Sequence, residues 1–118
     1  IRDRDTDRAD AVVVAYGSVA RVAKEVVYRA RRRGLKLGLF RPLILWPFPY
    51  EELRGFVEKV GADRVVVVEV NMGQVYHYVR EALGPGIRVE LYAETPGFYP
   101  APSPLLSFVE KVVGGGGA

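Results

Sequence analysis

Residues 64–83 read RVVVVEVNMGQVYHYVREAL and contain the clearest strand and helix in the chain. Residues 64–70 form a nearly unbroken β-branched run, which is typical of a strand buried on both faces of a parallel sheet. A turn at residues 71–74 follows, and the helix after it runs to about Leu83. Its apolar face is predicted from Val75, Tyr78, Val79 and Ala82. A buried strand that leads directly into an amphipathic helix is the repeating unit of parallel α/β folds.

The same alternation continues towards the amino terminus. Residues 11–15 (AVVVA) form a second β-branched run. Gly17 and Ser18 end that run, and Ser18 is a good N-cap for the helix that follows. This helix is predicted to end at Gly34, and residues 35–40 then form a short apolar strand. Its buried face is predicted from Val19, Val22, Ala23, Val26, Val27 and Ala30.

Towards the carboxyl terminus, a helix is predicted over residues 50–60, a strand over residues 87–92 and a last helix from Ser103 to about Val113. The predicted fold class is therefore α/β. We expect a three-layer α/β/α sandwich with a mainly parallel four-stranded sheet in the order 2-1-3-4 and right-handed crossovers.

The two ends of the chain differ in composition from the part between them. Residues 1–10 alternate in charge without apolar periodicity and are expected to be an exposed lead-in. Residues 11–113 form the predicted domain. Residues 114–118 are four glycines and an alanine, which predicts a flexible tail.

The net charge of +3 invites a nucleic-acid interpretation, but the pattern of the basic residues does not support it. Arg29 and residues 31–33 fall at the predicted end of a helix, where cations oppose the negative end of the dipole. No aromatic residues alternate with them at base-stacking spacing, so no nucleic-acid partner is expected. No apolar run approaches the roughly 20 residues that cross a bilayer, so no membrane partner is expected either.

Two turns lie at the carboxyl ends of predicted strands 1 and 3, the edge where ligands bind in open parallel sheets. Both turns lead into helix N-termini, whose N–H groups and positive dipole end suit an anion. The candidate contacts for a ligand or a subunit are Gly17, Ser18, Asn71, Gly73 and Gln74. Neither turn contains a phosphate-loop motif, so a tight strand-to-helix turn is the alternative explanation for Gly17.

Conventional catalytic groups are scarce. His77 is the only histidine, and we expect it to be partly exposed or at an interface rather than a general base. The chain has no cysteine, which excludes thiol nucleophiles and cysteine-held zinc or iron–sulfur clusters. No catalytic residue and no metal site are therefore predicted. Glu69 ends a buried strand, so its carboxylate either pairs with an arginine such as Arg41 or is exposed.

Residues 41–49 (RPLILWPFP) are hard to explain as an ordinary connection, because three prolines exclude a helix or central strand. Leu45, Trp46 and Phe48 lie there without periodicity. Aromatic residues are enriched at interfaces, so we predict that these three contact another domain or subunit. Arg41 is a further candidate for ligand or subunit contact. The alternative is a loop that covers the chain's own core.

Three segments carry a family resemblance. They are residues 14–24 (VAYGSVARVAK), residues 38–49 (GLFRPLILWPFP) and residues 68–74 (VEVNMGQ). In this order and spacing the chain resembles the carboxy-terminal, transketolase-C-like domain of the α subunit of 2-oxoacid:ferredoxin oxidoreductases, and among these it is most similar to the 2-oxoglutarate type. The resemblance implies an enzyme that decarboxylates a 2-oxoacid oxidatively, forms an acyl-coenzyme A and reduces ferredoxin.

The resemblance also implies how the work is divided. Thiamine diphosphate, Mg²⁺, iron–sulfur clusters and coenzyme A belong to the whole enzyme, and none is expected to be held by this domain alone. The implied partners are the rest of the α subunit, the β subunit and ferredoxin, in the cytoplasm. Two alternatives stay open: a free-standing α/β module that binds a small anion or coenzyme A, and the equivalent domain of a transketolase or 2-oxoacid dehydrogenase β subunit.

Overall fold

The computed structural model describes residues 8–17, 19–42, 48–69, 74–93 and 101–114. Strands and helices alternate throughout these ranges. The strands are β1 (Ala11–Ala15), β2 (Leu37–Phe40), β3 (Arg64–Glu69) and β4 (Arg88–Ala93). The helices are α1 (Val19–Arg32), α2 (Tyr50–Val60), α3 (Gln74–Leu83) and α4 (Pro102–Gly114).

The strands form one parallel sheet in the order β2-β1-β3-β4. The two central strands are in register from Val12 beside Val65 to Ala15 beside Val68. Both central strands are β-branched and buried along almost their whole length, as the sequence indicated. The predicted fold class and strand order are confirmed.

Successive side chains of a strand point to opposite faces, and this alternation divides the core into two halves. Val13 and Val66 lie on the face that α1 and α4 cover. Val12 and Val65 lie on the face that α2 and α3 cover. The helices on each face also pack against each other, α1 beside α4 and α2 beside α3. The result is the three-layer sandwich that the sequence predicts.

The end of α1 explains why β2 starts later than predicted. The backbone N–H of Leu35 donates to the carbonyl of Ala30 at 3.0 Å, which closes the last turn of the helix. Leu35 therefore belongs to the helix end, and the strand begins at Leu37. Within the part of the chain that the structure describes, no helix is both long enough and apolar enough to span a bilayer.

The lead-in joins the domain earlier than the sequence suggested. Ala9 is only 2% exposed, and its N–H donates to the carbonyl of Val60 at 3.0 Å. Arg8 lies over Gly61, the residue that ends α2 in the left-handed conformation with φ of 75°. A Cβ at Gly61 would lie 2.8 Å from Nη1 of Arg8, the end of a flexible side chain that can move aside, so the backbone angle is what favours glycine there. The predicted exposure of residues 1–10 is therefore wrong for Ala9.

Candidate functional site

The carboxyl ends of β1 and β3 meet at the point where the order of the sheet reverses. Because Ala15 lies beside Val68, the exit at Tyr16 and Gly17 lies next to Glu69. The helices that follow these strands cover opposite faces, α1 on one and α3 on the other. This divergence is the arrangement that opens a crevice in doubly wound sheets. The predicted neighbourhood of the two exits is confirmed.

Glu69 fills the β3 side of this edge. Its side chain is 2% exposed, and its two carboxylate oxygens accept hydrogen bonds from the first turn of α3. Oε1 accepts from the N–H of Val75 and Oε2 from the N–H of Tyr76, each at 3.0 Å. These N–H groups have no partner inside the helix, and a negative charge at this end favours the dipole. Glu69 is therefore an internal cap for α3.

This geometry corrects the prediction for Glu69. From the sequence, we expected its carboxylate either to pair with an arginine such as Arg41 or to be exposed. The structure buries the carboxylate and gives it backbone partners, while Arg41 is exposed. A spacing of six residues between the acid and the first N–H that it caps is too long for the usual capping patterns, so this contact was not predictable from local sequence patterns.

The helix terminus at β1 differs from the one at β3. The first turn of α1 contains no acidic side chain. Gly17 adopts a φ of 74°, and its carbonyl accepts the N–H of Ala20 at 3.0 Å. A Cβ at Gly17 would meet no atom within 4 Å, so the backbone angle alone accounts for the glycine. These facts favour the tight-turn explanation for Gly17 over close approach of a ligand.

The predicted contact residues are only partly within the described ranges. Gly17 and Arg41 are exposed, and Gln74 is the first residue of α3. Gly17 and Gln74 follow neighbouring strands, so their backbones share the carboxyl edge of the sheet. The predictions for the following residues lie outside the described ranges: Ser18, Leu45, Trp46, Asn71 and Gly73.

Phe48 is a core residue of this chain. Its side chain is 4% exposed and lies between two aromatic rings, Tyr50 of α2 at 5.2 Å and Tyr78 of α3 at 5.3 Å between centroids. Edge-on and tilted contacts of this kind stabilise packed aromatic groups. The alternative of a loop that covers the chain's own core is thus correct for Phe48, and the interface assignment is not. The interface prediction for Leu45 and Trp46 stands as made.

A hydrogen bond extends the Phe48 cluster to the surface. The hydroxyl of Tyr50 donates to Oε1 of Glu81 at 3.1 Å. Burial of the phenol, together with the bond to and the charge of Glu81, raises the pKa of Tyr50 above its ordinary value. The bond links α2 to α3 beside the Phe48 ring. Its role is to hold two helices together rather than to transfer protons.

The described part of the chain offers little for catalysis. His77 is exposed on α3, as predicted. No group of three or more histidine, cysteine, aspartate or glutamate side chains within the described ranges could hold a metal ion. Every buried side-chain nitrogen and oxygen atom in the same ranges has a hydrogen-bond partner. Among the described residues of the carboxyl edge, the buried carboxylate of Glu69 is satisfied by backbone donors.

Two arginines donate hydrogen bonds to the carboxyl ends of helices, contacts that the sequence did not predict. Arg54 of α2 donates to the carbonyl of Ala82 at the end of α3, at 3.0 Å. Arg64 of β3 donates to the carbonyls of Val112 and Val113 at the end of α4, at 3.1 and 2.7 Å. Cationic donors at helix ends satisfy free carbonyls and oppose the dipole. These two arginines therefore join the end of α3 to α2 and the end of α4 to β3.

The sequence matches the profile of a known protein family, described as pyruvate:ferredoxin oxidoreductase core domain II, over residues 9–104. The chain belongs to this family. The match starts just before β1 and ends within α4, so it includes the whole sheet and its carboxyl edge. The family resemblance carried by the three sequence segments is confirmed.

Curated relatives of this core domain II chain are subunits of oxidoreductases and synthases. Ketoisovalerate oxidoreductase subunit VorB of Methanothermobacter thermautotrophicus is 41% identical over 66% of this chain and 22% of its own length. 2-Oxoglutarate synthase subunit KorA of the same organism is 30% identical over 95% of this chain and 29% of its own length. Pyruvate synthase subunit PorA of Pyrococcus abyssi is 32% identical over 62% of this chain and 18% of its own length. The chain spans less than a third of these relatives.

Solved structures give the same family and fold. The 2-oxoglutarate:ferredoxin oxidoreductase of Magnetococcus marinus, solved with 2-oxoglutarate, coenzyme A and succinyl-CoA bound, superimposes with a TM-score of 0.82 at 26% identity. The superposition covers 96% of this chain and 19% of that one. A split-gene transketolase, an inactive β4 tetramer, superimposes with a TM-score of 0.68 at 19% identity, which shows a shared fold. The predicted transketolase-C-like architecture is confirmed.

Proposed function

We propose that this chain is the carboxy-terminal assembly domain of the α subunit of a thiamine diphosphate-dependent 2-oxoacid:ferredoxin oxidoreductase. The enzyme would decarboxylate a 2-oxoacid, transfer the acyl group to coenzyme A and pass the electrons to ferredoxin. The observation that carries the proposal is the core domain II match over residues 9–104. Superposition of 96% of the chain on a 2-oxoglutarate:ferredoxin oxidoreductase supports it.

The substrate class follows from what the relatives have in common. Their names give ketoisovalerate, 2-oxoglutarate and pyruvate, each of which is a 2-oxoacid. We assign the class and not the individual acid, because groups that select among 2-oxoacids must lie near the reacting carbon. At the carboxyl edge, the carboxylate of Glu69 is buried and occupied as a cap of α3.

The structural role of the domain rests on its chemical composition and on the carboxyl edge. Cysteine thiolates hold iron–sulfur clusters, and this chain has no cysteine. An anion placed at the start of α3 would have to displace the carboxylate of Glu69 from Val75 and Tyr76. We therefore assign thiamine diphosphate, Mg²⁺, the clusters and coenzyme A to other parts of the enzyme. The proposed partners are the remaining α-subunit domains, the β subunit and ferredoxin, and the proposed location is the cytoplasm.

Fragment complementation tests this proposal. The α and β subunits of the enzyme would be produced with residues 9–104 of the α-subunit domain deleted, and the present chain would be added back. We expect the added chain to co-elute with the deleted enzyme on gel filtration. We also expect it to restore 2-oxoacid-dependent, coenzyme A-dependent reduction of an artificial electron acceptor.

A thermal-shift series on the chain alone distinguishes the main alternative. A free-standing ligand module would be stabilised specifically by coenzyme A, thiamine diphosphate or inorganic phosphate, since a ligand at 100 times its Kd adds about 2.7 kcal/mol. An assembly domain would show no specific shift with any of the three. Specific stabilisation without co-elution would overturn the proposal.

A further inference from the structure

The positive charge of the chain is concentrated in α1 and the turn that follows it. Seven of the 17 basic residues lie between residues 21 and 36, together with one of the 14 acidic residues. The remaining ten basic and thirteen acidic residues give the rest of the chain a net charge of −3. The chain is therefore basic because of one helix, whose sign of charge is opposite to that of the rest of the molecule.

The arginines at the carboxyl end of α1 have structural roles. Arg29 and Arg33 form ion pairs with glutamates at 2.8 and 2.7 Å, respectively. Arg31 donates from Nη2 to the carbonyl of Leu37 in β2 at 3.1 Å. Cations in the last turn of a helix also oppose the negative end of its dipole. The fold itself therefore accounts for these three arginines.

Two cations near the amino end of α1 have no such explanation. Arg21 lies in the first turn, which contains no acidic side chain and where the positive end of the dipole disfavours a cation. Lys24 lies in the next turn on the same exposed side of the helix. Neither side chain forms an ion pair or a hydrogen bond within the described part of the chain. A local rule that is broken without a structural gain is typical of a functional surface.

An exposed aromatic ring lies in line with these two cations. Tyr28 is 60% exposed and is the one large hydrophobic side chain among the described residues that is this open to solvent. The guanidinium carbon of Arg32 lies 5.8 Å from the centre of its ring, within the range of a cation–π contact. Spacings of three and four residues place Arg21, Lys24, Tyr28 and Arg32 along one side of α1, over about 16 Å. These four residues are the basic face of α1.

The composition of the basic face favours a protein partner over a nucleic acid. Arginine and tyrosine are the residues that dominate the binding energy at the centres of protein interfaces. Glu25 lies beside the face, and its side chain is 47% exposed. A carboxylate in this position repels the closely spaced phosphates of a nucleic acid, whereas a protein surface can place its own charges to avoid it.

We propose that the basic face of α1 is a docking surface for an acidic protein surface. Carboxylates of the partner lie opposite the three cations of the face, and an apolar contact between them receives the ring of Tyr28. Charge complementarity orients the partner, while the ring supplies the area that is removed from water. The proposal is independent of the proposed function, because it rests on α1 alone.

Fluorescence anisotropy with a defined acidic peptide tests the proposal on the chain itself. The probe is a labelled helical peptide of about 16 residues, long enough to span the basic face, with glutamates spaced three and four residues apart around a central leucine. We expect it to bind with a Kd on the order of 100 μM at low salt. A matched peptide with glutamine in place of each glutamate should bind at least about tenfold more weakly.

Variants of the chain separate the basic face from general attraction to a positive charge. Arg21→Glu and Tyr28→Ala should each raise the Kd at least about fivefold. Lys59→Glu makes a charge reversal of the same size at an exposed position of α2, and it should leave the Kd within about twofold. Arg21→Glu should also raise the Tm, because an acid in the first turn of α1 favours the dipole.

Each other result counts against the proposal. It is overturned if the acidic peptide does not bind, or if Arg21→Glu and Tyr28→Ala leave the Kd unchanged. A fall in Tm caused by Arg21→Glu would make Arg21 a structural residue and would remove the observation on which the basic face rests. Tighter binding of an oligothymidylate of the same length than of the acidic peptide would assign the face to nucleic acid instead.

Discussion

The two edge strands of the sheet make the same kind of parallel pairing, yet their surroundings differ. β2 pairs with β1 and is buried over all four of its residues. β4 pairs with β3 in register over six residues, and all six keep some exposure. Helices cover both faces of β2, whereas α3 and α4 leave the faces of β4 partly open. Hydrogen-bonded pairing within the sheet therefore does not decide how deeply the side chains of a strand are buried.

The same charge placed in each edge strand should have very different effects on stability. Leu37→Asp puts a carboxylate into a position of β2 that is 0% exposed, and it should cost about 4 kcal/mol or more. Leu91→Asp puts the same group into half-buried β4 and should cost about 1 kcal/mol. Urea unfolding followed by circular dichroism measures both. Equal losses would mean that the edges do not differ as described.

Replacement of an aromatic residue by alanine compares the packing around Phe48 with the packing at β4. Phe48→Ala leaves a cavity between Tyr50 and Tyr78 and should reduce the free energy of unfolding by about 3 kcal/mol. Tyr92→Ala in β4 removes a half-buried ring whose centroid lies 5.1 Å from that of Phe108. It should cost about 1 kcal/mol. The reverse ranking would place the better-packed core at β4.

A substitution at Trp46, two residues before Phe48, distinguishes a role in assembly from a role in core packing. Trp46 lies outside the described residues, and its predicted role is contact with another domain or subunit. Trp46→Ala should weaken co-elution with the remaining subunits more than it lowers the Tm of this chain. A fall in Tm as large as that caused by Phe48→Ala would make Trp46 a core residue as well.

The glutamates of β3 and β4 give a smaller contrast. Glu69→Ala leaves the N–H groups of Val75 and Tyr76 without their acceptor and should cost about 2 kcal/mol. Glu90→Ala removes an exposed ion pair and should cost less than about 0.5 kcal/mol. Denaturant unfolding measures both. A negligible effect of Glu69→Ala would remove the argument that α3 is closed to anions.

The smallest expected effect concerns Tyr50 and is visible mainly at high pH. The neutral phenol donates to Glu81, so the folded chain holds this proton more tightly than the unfolded chain, whose value is 10.0. The contribution to stability is present below that pH and is lost as the pH rises through the raised pKa. The ultraviolet difference titration between wild type and Tyr50→Phe should show a midpoint above 10.0. A midpoint at or below that value would contradict the bond.

Most of the fold was readable from the sequence because the strands are strongly patterned. The β-branched runs at residues 11–15 and 64–70 indicated the two central strands, and the alternation of strands and helices indicated the parallel sheet. The misassigned start of β2 has a local cause, since the hydrogen bond from Leu35 to Ala30 is set by the helix end and not by hydropathy.

The contacts that define the carboxyl edge were harder to predict. Glu69 caps a helix that begins five residues further along the chain, at Gln74, and the burial of Phe48 depends on Tyr50 and Tyr78 from two different helices. Both contacts join positions separated along the chain, so local patterns could only restrict the alternatives. The contrast between β2 and β4 has the same origin, because coverage of a strand depends on where whole helices lie.

The central claim is that this core domain II chain supplies structure and not chemistry to the proposed enzyme. Its most direct test is a turnover assay on the purified chain with a 2-oxoacid, coenzyme A, thiamine diphosphate, Mg²⁺ and an artificial electron acceptor. We expect no acceptor reduction that depends on the 2-oxoacid. Reduction that requires both the 2-oxoacid and thiamine diphosphate would contradict it.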